Sequence, residues 1–143
     1  MSSLIPKAKD MVNDFVNSLG INVNDVYDPE KNIWYLKRGS APVQIMLLSI
    51  PVGNGVIREF LQIASPLMKV PKGKELAFYR KLLELNDVKL GVKFSVQKDS
   101  DQVWALYERD LIGIGYEELK TCIEDLGYWA DTLDDELIGE FGQ

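Results

Sequence analysis

The sequence predicts an α+β domain, an antiparallel five-stranded sheet with three helices in the order α-β-β-β-α-β-β-α. Three observations carry that prediction. Helix-period apolar stripes open and close the chain, Gly- and Asn-containing turns join strand-like runs into hairpins, and residues 90–97 alternate strictly between apolar and small or polar side chains. Hairpins imply antiparallel pairing, and helices set apart from the strands argue against alternating βαβ units. A length of 143 residues suits one domain spanning residues 1–143, long enough to bury a sizeable core.

The elements follow in order. Leu4, Ala8, Met11, Val12, Phe15, Val16 and Leu19 recur at spacings of three and four, so the first segment is a helix. Ser2 or Ser3 is placed to cap its start, and Gly20 to stop it. Asn22 to Asn32, with Asp28-Pro29 inside it, reads as a loop. Strand-like runs then cover Ile33 to Lys37, Pro42 to Ile50 and Val56 to Ala64, separated by Arg38-Gly39-Ser40 and Gly53-Asn54-Gly55. Pro66 and Pro71 are expected to end the sheet segment, because proline donates no ladder hydrogen bond. A second helix fits Glu75 to Leu85, with Leu76, Tyr79, Leu82 and Leu83 as its apolar side. Leu90, Val92, Phe94 and Val96 point one way along the next strand, and Lys98-Asp99-Ser100-Asp101 turns it into Gln102 to Glu108. The last helix begins near Tyr116, on a stripe of Leu119, Ile123, Leu126, Ala130, Leu133 and Leu137.

Both faces of the sheet are apolar. A three-residue turn at Gly53–Gly55 puts Val43, Ile45, Leu47, Leu61 and Ile63 on one face. Met46, Leu48, Ile50 and Phe60 then share the other, with Arg58 and Gln62. The second hairpin divides in the same way, with Val92, Phe94, Val96, Val103, Ala105 and Tyr107 opposite Trp104 and Leu106. A sheet with one solvent face should be polar there. Something is therefore expected to cover the second face: the middle helix, a second subunit or a bound segment. Trp34 and Trp104 are read as surface aromatics whose replacement tests partner binding.

Composition removes several function classes. With 16 Lys+Arg against 22 Asp+Glu and a net charge of -6, the chain lacks the basic stripe that neutralises nucleic-acid phosphates. It contains no His, hence no imidazole base, ligand or triad. Cys122 is the single cysteine, so neither an intrachain disulfide nor a cysteine zinc site can form. Without histidine beside it, Cys122 reads as a small hydrophobe, and Trp129 as a core or interface aromatic. No apolar run approaches the ~20 residues of a membrane span and no signal-peptide pattern opens the chain, so a cytoplasmic location is expected. Neither cofactor nor metal is implied.

The motifs point the same way. Pro51-Val-Gly-Asn-Gly-Val56 lacks the lysine and hydroxyl of a phosphate loop and precedes a strand, so it reads as a hairpin turn. Gly113-Ile-Gly115 is too short for a dinucleotide fingerprint. Glu108 and Asp110 fall on one strand face with Arg109 opposite, and two carboxylates can run acid–base chemistry. A structural ion-pair cluster is the simpler reading. Asp131, Asp134, Asp135 and Glu136 lie within a helical pattern without calcium-loop spacing, and read as a solvated face. Residues 116–143 hold nine acids against Lys120 alone. The chain's acidity therefore belongs to its last helix, as a solubilising face or one that steers basic partners.

One resemblance covers nearly the whole chain. Trp34-Tyr-Leu-Lys-Arg-Gly-Ser40, Val43-Gln-Ile45, Tyr79-Arg-Lys-Leu-Leu-Glu-Leu-Asn86, Phe94-Ser-Val96, Glu108-Arg-Asp-Leu111, Glu117-Glu-Leu119 and Ala130-Asp131 carry it. The pattern resembles the YbjN-like family, candidate bacterial sensory transduction regulators with the fold of type III secretion chaperones. The resemblance implies a small acidic non-enzymatic homodimer that holds another protein or peptide segment through apolar surface, with no catalytic residue to transfer. Arg109 and Asp110 match a recurring pair, implying a structural ion-pair role that ties the last strand to the final helix. The expected partner-binding residues are Met46, Leu48, Ile50, Phe60, Trp104 and Leu106. The competing expectation is a small-molecule sensor or small hydrolase with a pocket at Glu108 and Asp110.

Overall fold

A computed structural model describes residues 2–89 and 91–142. Its elements are α1 (Ile5–Ser18), α2 (Val23–Val26), β1 (Tyr27–Asp28), β2 (Ile33–Arg38), β3 (Ala41–Gly53), β4 (Val56–Lys69), α3 (Glu75–Val88), β5 (Val92–Val96), β6 (Gln102–Asp110) and α4 (Tyr116–Phe141). The strands form one antiparallel sheet in the order β1-β2-β3-β4-β6-β5. The α+β class and the order of the long elements agree with the sequence. Leu90, placed on the alternating stripe, lies outside the described residues.

The sheet has six strands where five were expected. The sixth is β1, within the segment read as loop, paired through Tyr27 to Trp34 and Asp28 to Ile33. Asn22 caps the one-turn α2 by accepting the Asn24 N–H at 3.0 Å. The Tyr27 ring then lies 4.6 Å from that of Trp34. Elements of two and four residues are too short to show a period, which is why the sequence pattern missed them. Strand β4 also runs on through Pro66 to Lys69, against expectation. Its pairing with β3 ends at Ala64, so Pro66 pairs only with Trp104 of β6 and needs no donor on its open side.

Helices α1 and α4 cover one sheet face. Ala8, Val12, Phe15 and Val16 of α1, with Leu119, Ile123, Leu126, Ala130, Leu133 and Leu137 of α4, are buried against Trp34, Ile45, Leu47, Leu61, Ile63 and Val103. Trp34 is fully buried and donates its indole N–H to Asn13 Oδ1 at 2.9 Å. It is a core residue, contrary to its reading as a surface aromatic. Its partner is a polar residue of α1, which no local pattern in β2 announces.

The ends of α1 are fixed from different distances. At its start, Leu4 N–H and the Ser3 hydroxyl donate to the Glu59 carboxylate of β4 at 2.7 and 2.5 Å. That carboxylate satisfies the helix terminus and complements its dipole. The Ile5 N–H reaches Ser3 Oγ at 3.2 Å. At its end, Gly20 at φ 77 lets Gly20 and Ile21 donate to the carbonyls of Asn17 and Val16, a Schellman closure. The β2–β3 turn is tied to α4 instead. Gly39 has φ +57, and a Cβ there would lie 2.7 Å from the Asp131 carboxylate.

Helix α3 does not cover the second face, and of its expected apolar side only Leu82 is buried. Phe78, Leu82 and Leu85 are buried, whereas Leu76, Leu83 and Tyr79 are 85%, 69% and 42% exposed. It closes one end of the core beside β5, with Phe78 edge-on to Phe141 at 5.2 Å. Lys81 reaches Glu136 and Glu140 at 3.4 and 3.5 Å. Both stripes of α3 are apolar, so packing alone selects which one goes inside.

Candidate partner-binding surface

The face of the sheet turned away from α1 and α4 carries no element of the chain among the described residues. Strand register fixes its rows. Leu48 pairs with Phe60 and Phe60 with Asp110; Met46 pairs with Gln62 and Gln62 with Glu108; Ala64 pairs with Leu106, and Pro66 with Trp104. Ile50 opposite Arg58 extends the face toward the β3–β4 hairpin. All six expected partner-binding residues (Met46, Leu48, Ile50, Phe60, Trp104 and Leu106) thus lie on this one face, half-buried or exposed.

Across its middle runs a shallow groove of about 460 Å³ between Met46, Ala64, Trp104 and Leu106. Gln44, Gln62, Ser95, Val96, Gln97 and Lys98 complete it. Gln44, Ser95, Gln97 and Lys98 become neighbours only through pairing across β3, β4, β6 and β5, which no local pattern in the sequence announces. Trp104 is oriented by its indole N–H, which donates to Gln97 Oε1 at 3.3 Å. The groove therefore offers an apolar floor flanked by side-chain amides, which can donate to and accept from a main chain.

The charged residues at the far side of this face are all paired. Glu108 accepts from Gln62 at 2.5 Å and forms a short ion pair with Lys93. Burial alone would raise the Glu108 carboxyl, but the bonds from Lys93 and Gln62 outweigh it and hold it below the ordinary carboxylate range. Asp110 accepts the Ile112 N–H at 2.8 Å and pairs with Arg58 at 2.5 Å. The backbone bond first, and Arg58 second, depress its pKa. Arg58 also lies over the Phe60 ring at 5.0 Å.

Arg109 and Asp110 do not pair with each other. Arg109 points to the opposite face and bonds to Glu118 in the first turn of α4, whereas Asp110 bonds to Arg58 of β4. Successive strand side chains face opposite ways, so neighbours in sequence cannot share a partner here. Arg109 joins β6 to α4, and Asp110 joins β6 to β4. Beyond Arg109, Cys122 and Tyr107 line a separate hollow of about 260 Å³. Burial pushes the Tyr107 phenol and the Cys122 thiol up, so both stay protonated near neutral pH.

Two further apolar surfaces are open. One is the α3 stripe of Leu76, Tyr79 and Leu83. The other is the tip of the β3–β4 hairpin, where Val52, Val56 and Ile57 are exposed. Among the described residues no helix is long and apolar enough to cross a membrane.

By sequence, no family model and no curated protein matches the chain. By structure the likeness is extensive. A chain of the ExsC-ExsE complex superposes with a TM-score of 0.69 at 15% identity, covering 94% of this chain and 96% of that one. YbjN from E. coli gives 0.63 at 13% identity, over 92% and 91% of the two chains. The Yersinia pestis type III secretion chaperone SycH, solved with a stable fragment of YscM2, gives 0.55 at 15% identity, over 87% and 98%. At these identities the likeness speaks for the fold. The chain has the α+β fold shared by YbjN and the type III secretion chaperones.

Proposed function

We propose that the chain is a chaperone-like, non-enzymatic module that holds a segment of another protein on its uncovered sheet face. In this reading residues 1–143 form one domain, which acts as a homodimer in the bacterial cytoplasm. The observation that carries the reading is the convergence of Met46, Leu48, Ile50, Phe60, Trp104 and Leu106 on a face that no helix covers among the described residues. Solvent-facing sheet surfaces are ordinarily polar, and an apolar one marks an interaction site. The amides around the groove and the open outer edge of β2 beyond Trp34 supply main-chain pairing for an extended segment. The neighbouring structures, a chain of the ExsC-ExsE complex and SycH with its fragment of YscM2, each come from a complex of two proteins, which is consistent with such a role.

For the second subunit, the exposed α3 stripe is the surface of suitable shape. The carboxylates that a hydrolase would need are committed elsewhere. Glu108 is held ionised by Lys93 and Gln62, and Asp110 by Ile112 N–H and Arg58, so neither is poised as a proton donor near neutral pH.

Affinity capture with mass spectrometry tests the reading when wild type is compared with Leu106→Lys and Trp104→Ala. Both variants keep the covered core. A partner retained by wild type and lost from both supports the assignment. A wild-type chain that is strictly monomeric and captures nothing refutes it, as does a partner that binds all three alike.

A further inference from the structure

The sheet ends on one side at β5, which among the described residues pairs with β6 alone. At the hairpin end Gln97 N–H donates to the Gln102 carbonyl at 2.9 Å. In an antiparallel ladder, residues bonded to the partner strand alternate with residues whose main-chain groups turn outward. By that alternation Val92, Phe94 and Val96 present their N–H and C=O groups away from β6. Such a row is a template for another strand. The segment Val92-Lys-Phe-Ser-Val96 is rich in β-formers and has no proline or glycine to break a new ladder. Its one charge is also neutralised, since Lys93 is paired with Glu108, so repulsion between copies does little to guard the edge.

The centre of that row is occupied by a side chain. Asn86, in the last turn of α3, accepts the Phe94 N–H on Oδ1 at 2.6 Å and donates Nδ2–H to the Phe94 carbonyl at 3.2 Å. A carboxamide offers one acceptor and one donor, as a peptide unit does. Asn86 therefore gives Phe94 the two bonds that a neighbouring strand would give it. Helix position alone does not require this, because Leu82 and Leu85 already anchor α3 in the core.

We infer that Asn86 is an edge plug: its amide occupies the place of a pairing strand on β5 and so prevents two copies of this chain from joining β5 to β5. A second copy is the excluded occupant because a short antiparallel edge is complementary to itself across a two-fold axis.

The test is sedimentation of Asn86→Ala over an approximately 100-fold range of concentration, in a Leu83→Asp background that removes the α3 stripe as a source of association. N86A/L83D is expected to gain mass with concentration, to at least twice that of L83D alone, while hydrogen exchange at the Phe94 amide slows as association proceeds. Adding Val96→Lys puts like charges on the new edge and is expected to restore the L83D mass. Asn86→Gln is the second variant should N86A fail to fold. It keeps the helix former and the polarity, but its extra methylene displaces the amide from Phe94. A folded N86A/L83D or N86Q/L83D chain that keeps the L83D mass throughout the range overturns the inference. Association that V96K leaves unchanged overturns it too.

Discussion

Leu82 and Leu83 are neighbours in α3, yet the structure assigns them opposite consequences. Leu82 is 4% exposed and Leu83 69% exposed. Leu82→Ala removes a packed side chain and is expected to lower folding stability by about 2–5 kcal/mol, seen as a lower denaturation midpoint. Leu83→Asp should change folding stability by no more than about 0.5 kcal/mol, because its side chain already faces water. Its effect falls on association. Full burial of a leucine contributes roughly 1.5–3 kcal/mol, so the exposed part of Leu83 accounts for about 1–2 kcal/mol in an α3-mediated dimer. A two-fold interface contains the residue twice, so the loss is about 2–4 kcal/mol, or at least a 30-fold weaker dimer by affinity arithmetic. Analytical ultracentrifugation and urea unfolding read the two effects separately. If L83D unfolds the chain while L82A does not, the assignment of the buried stripe is wrong. If L83D folds and dimerises like wild type, α3 is not the dimer surface.

Other consequences follow from single contacts. Gly39→Ala meets both a left-handed backbone and the Asp131 carboxylate and is expected to destabilise by about 1–3 kcal/mol in thermal unfolding; an unchanged Tm would contradict the close approach at the β2–β3 turn. Ser65 is fully buried with its hydroxyl unbonded among the described residues, so Ser65→Ala is expected to leave stability unchanged or raise it by about 1 kcal/mol, and a large loss would reveal a partner for the hydroxyl. Two carboxylates should respond to acid with opposite signs. The folded pKa of Asp110 is depressed, so its contribution is present above the unfolded value near about pH 4 and is lost as pH falls through the folded pKa. Asp134 is raised by burial and by Asp135 and Asp131, so its carboxylate opposes folding at neutral pH and that penalty fades on acidification. Asp110→Asn should therefore lower Tm at pH 7 and converge on wild type in acid, whereas Asp134→Asn should raise Tm at pH 7 and converge from above. Parallel Tm–pH curves for the two variants would refute both readings.

The long elements and the two faces of the sheet follow from the periodicity of the sequence alone. A period of 3.6 recurs five times along the α4 stripe and a period of 2 throughout the strands, so the α4 stripe and the grouping of Met46, Leu48, Ile50 and Phe60 were legible in the sequence. Length explains what was not: α2 and β1 are about one period long, so neither can show a repeat. Which apolar surface is covered depends instead on how the elements pack. Helix α3 carries two apolar stripes, and the choice of Phe78, Leu82 and Leu85 over Leu76, Tyr79 and Leu83 rests on the β5 strand that follows it and on Phe141 at the far end of α4. Arg109 and Asp110 are adjacent, yet their partners come from α4 and β4. Trp34 lies on a strand whose local pattern permits exposure, but α1 and Asn13 enclose it. Local periodicity records what a residue prefers to face; the packing of other elements decides what it does face, and among the described residues it leaves the second side of the sheet open.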